Sequence, residues 1–189
     1  DNKLSIDEDK FKNASKARVE SVLHSRGGFV SQISAKATNI ESHASIASEK
    51  AEKTGSTTKK NTSGLNSSST STSKDSTRTL AAIEEAAEDA QKTLSLLRKT
   101  GSKNIFNMIE KTDAAGNTVK EYDKDAIYDA VKNFIKDYNA LMDKTEDSKT
   151  SDIARARRTM SNFVKANETA LGKMGIRIDD DNKLSIDAD

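Results

Sequence analysis

Apolar residues recur at steps of three and four along most of the chain, and those steps predict four long helices. The first runs from Phe29 to about Lys53, where Val30, Ile33, Ala37, Ile40, Ala44, Ala47 and Ala51 form a heptad seam rich enough in alanine to pack closely. The second begins near Thr79, read as its cap, and carries Leu80, Ile83, Ala87, Ala90, Leu94 and Leu97 before Gly101 stops it. The third starts at a cap supplied by Asp123 or Asp125 and places Ile127, Val131, Phe134, Tyr138 and Leu141 on one side. The fourth runs from Asp152 with Ile153, Ala156, Met160, Phe163, Asn167, Leu171 and Met174 at the same spacing, until Gly172 and Gly175 end it. Helices of this length each span roughly 30 to 37 Å.

Between and beside these helices the period changes. Residues 8–14 and Lys16–Ser25 predict two short helices, the second using Val19, Val22 and Leu23, with Gly27 and Gly28 as the break. Residues 104–122 lose the helical step, and a turn from Asp113 to Asn117 suggests a hairpin. Residues 54–78 are nearly all Ser, Thr, Lys, Asn and Gly, which predicts a flexible linker spanning on the order of 25 to 30 Å. The chain thus divides into 1–53, a linker at 54–78, and 79–189, which needs 1–53 of its own or a neighbouring chain to complete it. The fold class expected is mainly α: an elongated four-helix bundle or antiparallel coiled coil with two small β-hairpins. Asn167, polar within a seam, is a candidate for fixing helix register.

One repetition changes this picture. The stretch DNKLSID fills residues 1–7 and again 181–187, and the match extends to Asp9 and Asp189 with only Glu8 replaced by Ala188. Before the second copy, Ile176 and Ile178 alternate with polar neighbours, and after Asp179–Asn182 come Leu184 and Ile186, so this end predicts a hairpin. After the first copy, Asp7 is placed to cap a helix with Glu8 and Asp9 in its first turn. Hairpin and helix together make one unit, and neither end of the chain holds all of it. Strand 1–7 is therefore expected to pair with Ile176–Ile178 of its own chain or of a neighbour, in place of the duplicate.

Three stretches also carry a family resemblance. AVKNFIKDYNALMDK (Ala130–Lys144), LGKMGIRIDDDNKLSID (Leu171–Asp187) and EDKFKNASKARVESVLHSRGGFVSQI (Glu8–Ile33) resemble the C-terminal region of the flagellar hook-associated protein 2 family, the filament cap. Family order would place residues 80–187 first and 1–53 after them, so the halves are reversed here and joined through the Ser/Thr-rich stretch. The large head domains of that family have no counterpart of sufficient length. The resemblance implies a secreted, bacterial, non-enzymatic structural protein of a cell-surface appendage, working by helix packing and self-assembly, with itself or other axial subunits as partners.

Composition supports little else. Apolar residues are 33% and charged residues 32% of the chain, with a net charge of +1, which argues against nucleic acid or an anionic membrane as partner. Cys, Trp and Pro are absent, so thiolate and disulfide chemistry are excluded and helices can run unbroken. No run approaches the roughly 18 apolar residues of a membrane span, and no signal peptide opens the sequence.

Candidate chemistry fares no better. The acidic run Asp179–Asp181 with Asp187 invites calcium, but an EF-hand loop counted from Asp179 puts Leu184 where glycine is needed, and a solvated turn is favoured. His24 and His43, on separate helices without paired carboxylates, suit neither metal nor base chemistry. Arg155, Arg157, Arg158 and Lys165 lack interleaved aromatics and read as a solvated face. No catalytic residue, cofactor or metal is expected. The residues expected to matter are those of the hairpin (Leu4, Ile6, Ile176, Ile178, Leu184, Ile186) and of the seams. The competing reading is a signalling or scaffold coiled coil built on residues 29–53.

Overall fold

Three helices in this chain start where a short polar side chain accepts a hydrogen bond from a backbone N–H three residues on, satisfying one of the donors a first turn leaves open. Asp7 accepts from Lys10 N at 2.8 Å, Ser76 from Thr79 N at 3.1 Å, and Asp123 from Ala126 N at 3.1 Å. The computed structural model describes residues 3–25, 27–55 and 75–179. In chain order the elements are β1 (Lys3–Ile6), α1 (Glu8–Asn13), α2 (Lys16–Leu23), α3 (Phe29–Gly55) and α4 (Thr77–Leu97). A 3-10 turn at Gly101–Lys103 leads to β2 (Met108–Thr112), β3 (Thr118–Tyr122), α5 (Lys124–Glu146), α6 (Ser151–Ala166), α7 (Glu168–Gly172) and β4 (Ile176–Asp179). The molecule is mostly helical, with two separate antiparallel strand pairs, β1–β4 and β2–β3.

One contiguous core joins the N-terminal elements to those after residue 77. Helix α3 packs on α4 and α6, while α5 packs on α4, α6, α1 and β1. Ile33 and Ile40 of α3, Leu80, Ile83, Leu94 and Leu97 of α4, and Phe134, Tyr138 and Leu141 of α5 are all fully buried, as is Leu171, with Ile127 nearly so. Where α3 meets α4, both contribute alanines to the core, Ala37, Ala44 and Ala47 against Ala86, Ala87 and Ala90. Their flank is closed by polar contacts: Gln91 donates to Glu41, and Thr38 Oγ1 donates to Gln91 Oε1 at 3.1 Å. An aromatic cluster joins α3 to α5 and α6, with Phe29 edge-on to Phe134 at 6.3 Å and stacked on Phe163 at 5.8 Å.

Several expectations need correction. The expected fourth helix is two: α6 ends at Ala166, and Asn167, with ψ of 6°, turns the chain into α7. Asn167 Nδ2 donates to Phe163 O at 2.8 Å, so this side chain closes a helix end instead of fixing register in a seam. The α6 seam steps by four from Met160 to Val164, which is fully buried, and leaves Phe163 half-buried at the rim. Helix α4 begins at Thr77, two residues before its expected cap, because Ser76 already offers the accepting oxygen. Residues 104–107 are not strand: Asn104 Oδ1 accepts from Phe106 N at 2.9 Å, and the bend drives Phe106 into the core at 2% exposure. The expected pairing of strand 1–7 with Ile176–Ile178 of its own chain is present as β1–β4, while the duplicate residues Leu184 and Ile186 lie outside the described residues.

Candidate functional site

The hairpin residues converge on a groove in which β1 is held on both edges. On one side it pairs antiparallel with β4, with Leu4 opposite Ile178, Ser5 opposite Arg177 and Ile6 opposite Ile176. On the other side stands α5. Asn139 Oδ1 accepts from Leu4 N at 2.7 Å, and Asn139 Nδ2 donates to Leu4 O at 2.7 Å. A carboxamide carries one acceptor and two donors in a plane, so it can satisfy an outward-facing backbone N–H and C=O together, as a third strand would. Leu4 itself is fully buried, and an unpaired backbone group there would cost about 1–3 kcal/mol. At 7% exposure Asn139 is one of three buried polar residues in the described part of the chain.

The two ends of the groove add further contacts. Lys3 Nζ lies 2.8 Å from Asp143 on the next turn of α5, an ion pair open to solvent on the acid side and worth little on its own. At the other end Asp7 N donates to Gly175 O at 2.7 Å, and Asp7 then caps α1. Gly175 has φ of +81°, and a Cβ there would sit 2.8 Å from Asp7 O and 3.1 Å from Phe11 N. The glycine serves both the turn out of α7 and the close approach of the incoming chain.

A second polar cluster fastens the turn that follows α5. Asp75 accepts from Lys149 N at 2.9 Å, Ser148 Oγ at 2.7 Å, Thr150 N at 3.1 Å and Thr150 Oγ1 at 2.6 Å. One carboxylate therefore organises the α5–α6 turn from the entry of α4. Partial burial works to raise the Asp75 carboxyl, but these hydrogen bonds outweigh it and hold it below its ordinary value. Tyr138, by contrast, is pushed well up by burial, which disfavours its phenolate. His24 is likewise structural: Nδ1 lies 2.9 Å from Leu97 O, and its ring packs on Phe106 at 5.2 Å. Lys12 is drawn between Asp125 at 2.6 Å and Glu8 at 2.7 Å, which raises its pKa.

Of the hairpin residues singled out in sequence, Leu4 and Ile176 are buried in the groove and Ile6 and Ile178 line it half-buried. The seam residues sit in the adjoining core. Asn139, Asp75 and Gly175 were not singled out as groove or clamp residues. Asn139 had a signal available, as a polar residue one position from the Tyr138 seam and within the YNAL stretch. Asp75 had none, because its partners lie more than seventy residues away.

Little in the described residues suits chemistry or a small ligand. A cleft of about 40 Å³, lined by Phe11, Phe106, Tyr122 and Ile127 and rimmed by lysines, has room for a few waters. Among the described residues no group of three or more His, Cys, Asp or Glu could hold a metal, and no helix is long and apolar enough to cross a membrane. Against family models, curated proteins and solved structures alike, the chain has no match.

Proposed function

We propose that this chain is a non-enzymatic structural and assembly module, an elongated four-helix bundle similar to the C-terminal region of the flagellar cap family, acting in a secreted appendage by association with its own copies or with related axial subunits. Helices α3 to α6 form the bundle and the two strand pairs decorate it. The observation that carries the assembly reading is the β2–β3 hairpin. It holds three of the five large hydrophobics exposed among the described residues: Met108 at 55%, Ile109 at 37% and Val119 at 37%. It is a two-stranded sheet with nothing paired to either outer edge in the described structure. Open, apolar strand edges tend to be covered by another chain.

The test is mass in solution by light scattering across a hundredfold range of concentration, for the native chain and for Met108→Ser/Ile109→Ser/Val119→Ser. The expected result is a mass that climbs with concentration in the native chain and stays monomeric in the variant. A native chain that remains monomeric throughout overturns self-association. The scaffold reading, in which residues 29–53 dimerise alone, is disfavoured by the burial of Ile33, Ala37, Ile40 and Ala44 within this chain's own core.

A further inference from the structure

The groove between β4 and α5 recognises a short sequence, and the chain contains that sequence twice. Each contact described for the incoming strand uses Lys3, Leu4, Ser5, Ile6 or Asp7: the ion pair to Asp143, the double hydrogen bond to Asn139, the burial of Leu4, the pairing with β4 and the bond to Gly175. The same five residue types recur in the same order as Lys183, Leu184, Ser185, Ile186 and Asp187. Within those five positions the groove touches nothing that distinguishes the two copies; only at Gly175, where a Cβ would lie 3.1 Å from Phe11 N, does it meet residues that follow the first copy alone. The difference between them lies in how each is tethered.

We infer that the β1 groove is an exchangeable strand-docking site, and that its second occupant is Asp181–Asp187 of the same chain. The register makes this geometrically short. With Leu184 in the place of Leu4, Lys183 stands opposite Asp179, and the connection from β4 is the three residues Asp180, Asp181 and Asn182. Three-residue hairpin loops are common and end on a residue in the left-handed region, which asparagine tolerates better than most. So short a loop gives the second copy a high effective concentration at the groove. The first copy has a different advantage. It leads directly into α1, whose Phe11 is 3% exposed and lies 6.0 Å from the ring of Tyr128, whereas the second copy is followed by Ala188 and Asp189. One groove with two interchangeable strands leaves one strand to spare in every molecule. This exchange operates within a monomer and does not depend on the assembly role.

Thermal unfolding of the full chain tests it. Leu4→Asp and Leu184→Asp are each expected to lower Tm by no more than about 3 °C, because the other copy fills the groove, while the double variant loses about 10 °C or more. A Leu4→Asp variant that falls as far as the double variant overturns the exchange. Occupancy is read separately through cysteines, since the chain has no other thiol. In Arg177→Cys/Ser185→Cys, the two thiols become cross-strand partners when the second copy docks, at a separation of about 5.5 Å that suits a disulfide. Mild oxidation is expected to give an intramolecular bond at monomer mass, forming slowly in the otherwise native chain and several-fold faster with Leu4→Asp. A covalent dimer would assign the second strand to another copy, and no bond after prolonged oxidation would remove the second occupant; either result overturns the proposal, while leaving the hairpin-mediated association to its own test.

Discussion

The two strand pairs in this molecule are nearly the same size and have almost nothing else in common. β2–β3 is the longer, with five residue pairs from Met108–Tyr122 to Thr112–Thr118, and it is closed by a well-made turn. Asp113 Oδ1 accepts from Ala115 N at 2.9 Å and Asn117 N at 2.8 Å, and Gly116 supplies a φ of +87°. Its cross-strand ion pairs, Lys111–Glu121 at 3.3 Å and Lys120–Glu110 at 3.6 Å, are exposed and contribute little. β1–β4 has four pairs and strands far apart in sequence, yet it buries Leu4 and Ile176 in the main core. What separates the two is the treatment of faces and edges. One sheet has a face in the core and a carboxamide on its outer edge; the other is mostly exposed, touches the core through Tyr122, and has no further strand on its edges among the described residues. Backbone pairing alone says little about how much a sheet holds a fold together.

Substitutions in the two sheets should diverge accordingly. Asn139→Leu keeps the branched outline of the side chain but strips Leu4 of both outer partners, and it does so for either copy of the strand. A loss of about 3 kcal/mol in urea unfolding is expected, and a loss below about 1 kcal/mol would show that the edge is not sealed by this residue. Gly175→Ala meets both a positive φ and a contact of 2.8 Å with Asp7 O, so about 2 kcal/mol should go, whereas Gly116→Ala, with nothing within 4 Å, should pay only for its φ.

Asp75, which belongs to neither sheet, provides a control with a sign fixed by its shift. Its folded pKa lies below the unfolded value, so its contribution is full above that unfolded value, about 3.9. It is lost as pH falls below about 4 toward the folded pKa. Asp75→Asn should therefore cost about 1 kcal/mol at pH 7, and the gap between variant and native chain in denaturant midpoint should narrow from pH 5 to pH 3. A gap that stays constant with pH would remove the carboxylate's charge from the account. The smallest effect belongs to the exposed sheet: Ile109→Ser should change stability by no more than about 0.5 kcal/mol, as read by the same midpoint.

The helical seams were legible because burial imposes a period. Leu80, Ile83, Ala87, Ala90, Leu94 and Leu97 all fall on the buried side of α4, as a step of three and four requires. The failures cluster where a polar side chain overrode that period. Asn167 interrupts the step between Met160 and Leu171 by donating backward to Phe163 O, and Asn104 bends a run that looks like strand by accepting from Phe106 N two residues on. The pairing of β1 with β4 was foreseeable only because the strand is written twice. Asn139 was hidden for a different reason. On a helical wheel it lies beside the seam, and only the arrival of a strand from the distant N-terminal elements turns it from a flank residue into a buried one. Asp75 lay in a stretch read as linker, since composition reports the average of a segment and not the one residue that docks.

The direction in which β1 and β4 run has a mechanical consequence. Because they are antiparallel with Lys3 opposite Asp179, the chain enters the first strand and leaves the second at the same end of the pair. Tension applied through those two points loads the backbone bonds one after another, from Lys3 inward, so the sheet peels at low force instead of shearing at high force. On the outer edge the same tension reaches α5 early, through the Lys3–Asp143 ion pair and the Asn139 bonds to Leu4, so those contacts must break as the strand peels. A filament or array that pulled on this chain at both points would stretch first by opening the groove, and would recover its length when a strand returned to it.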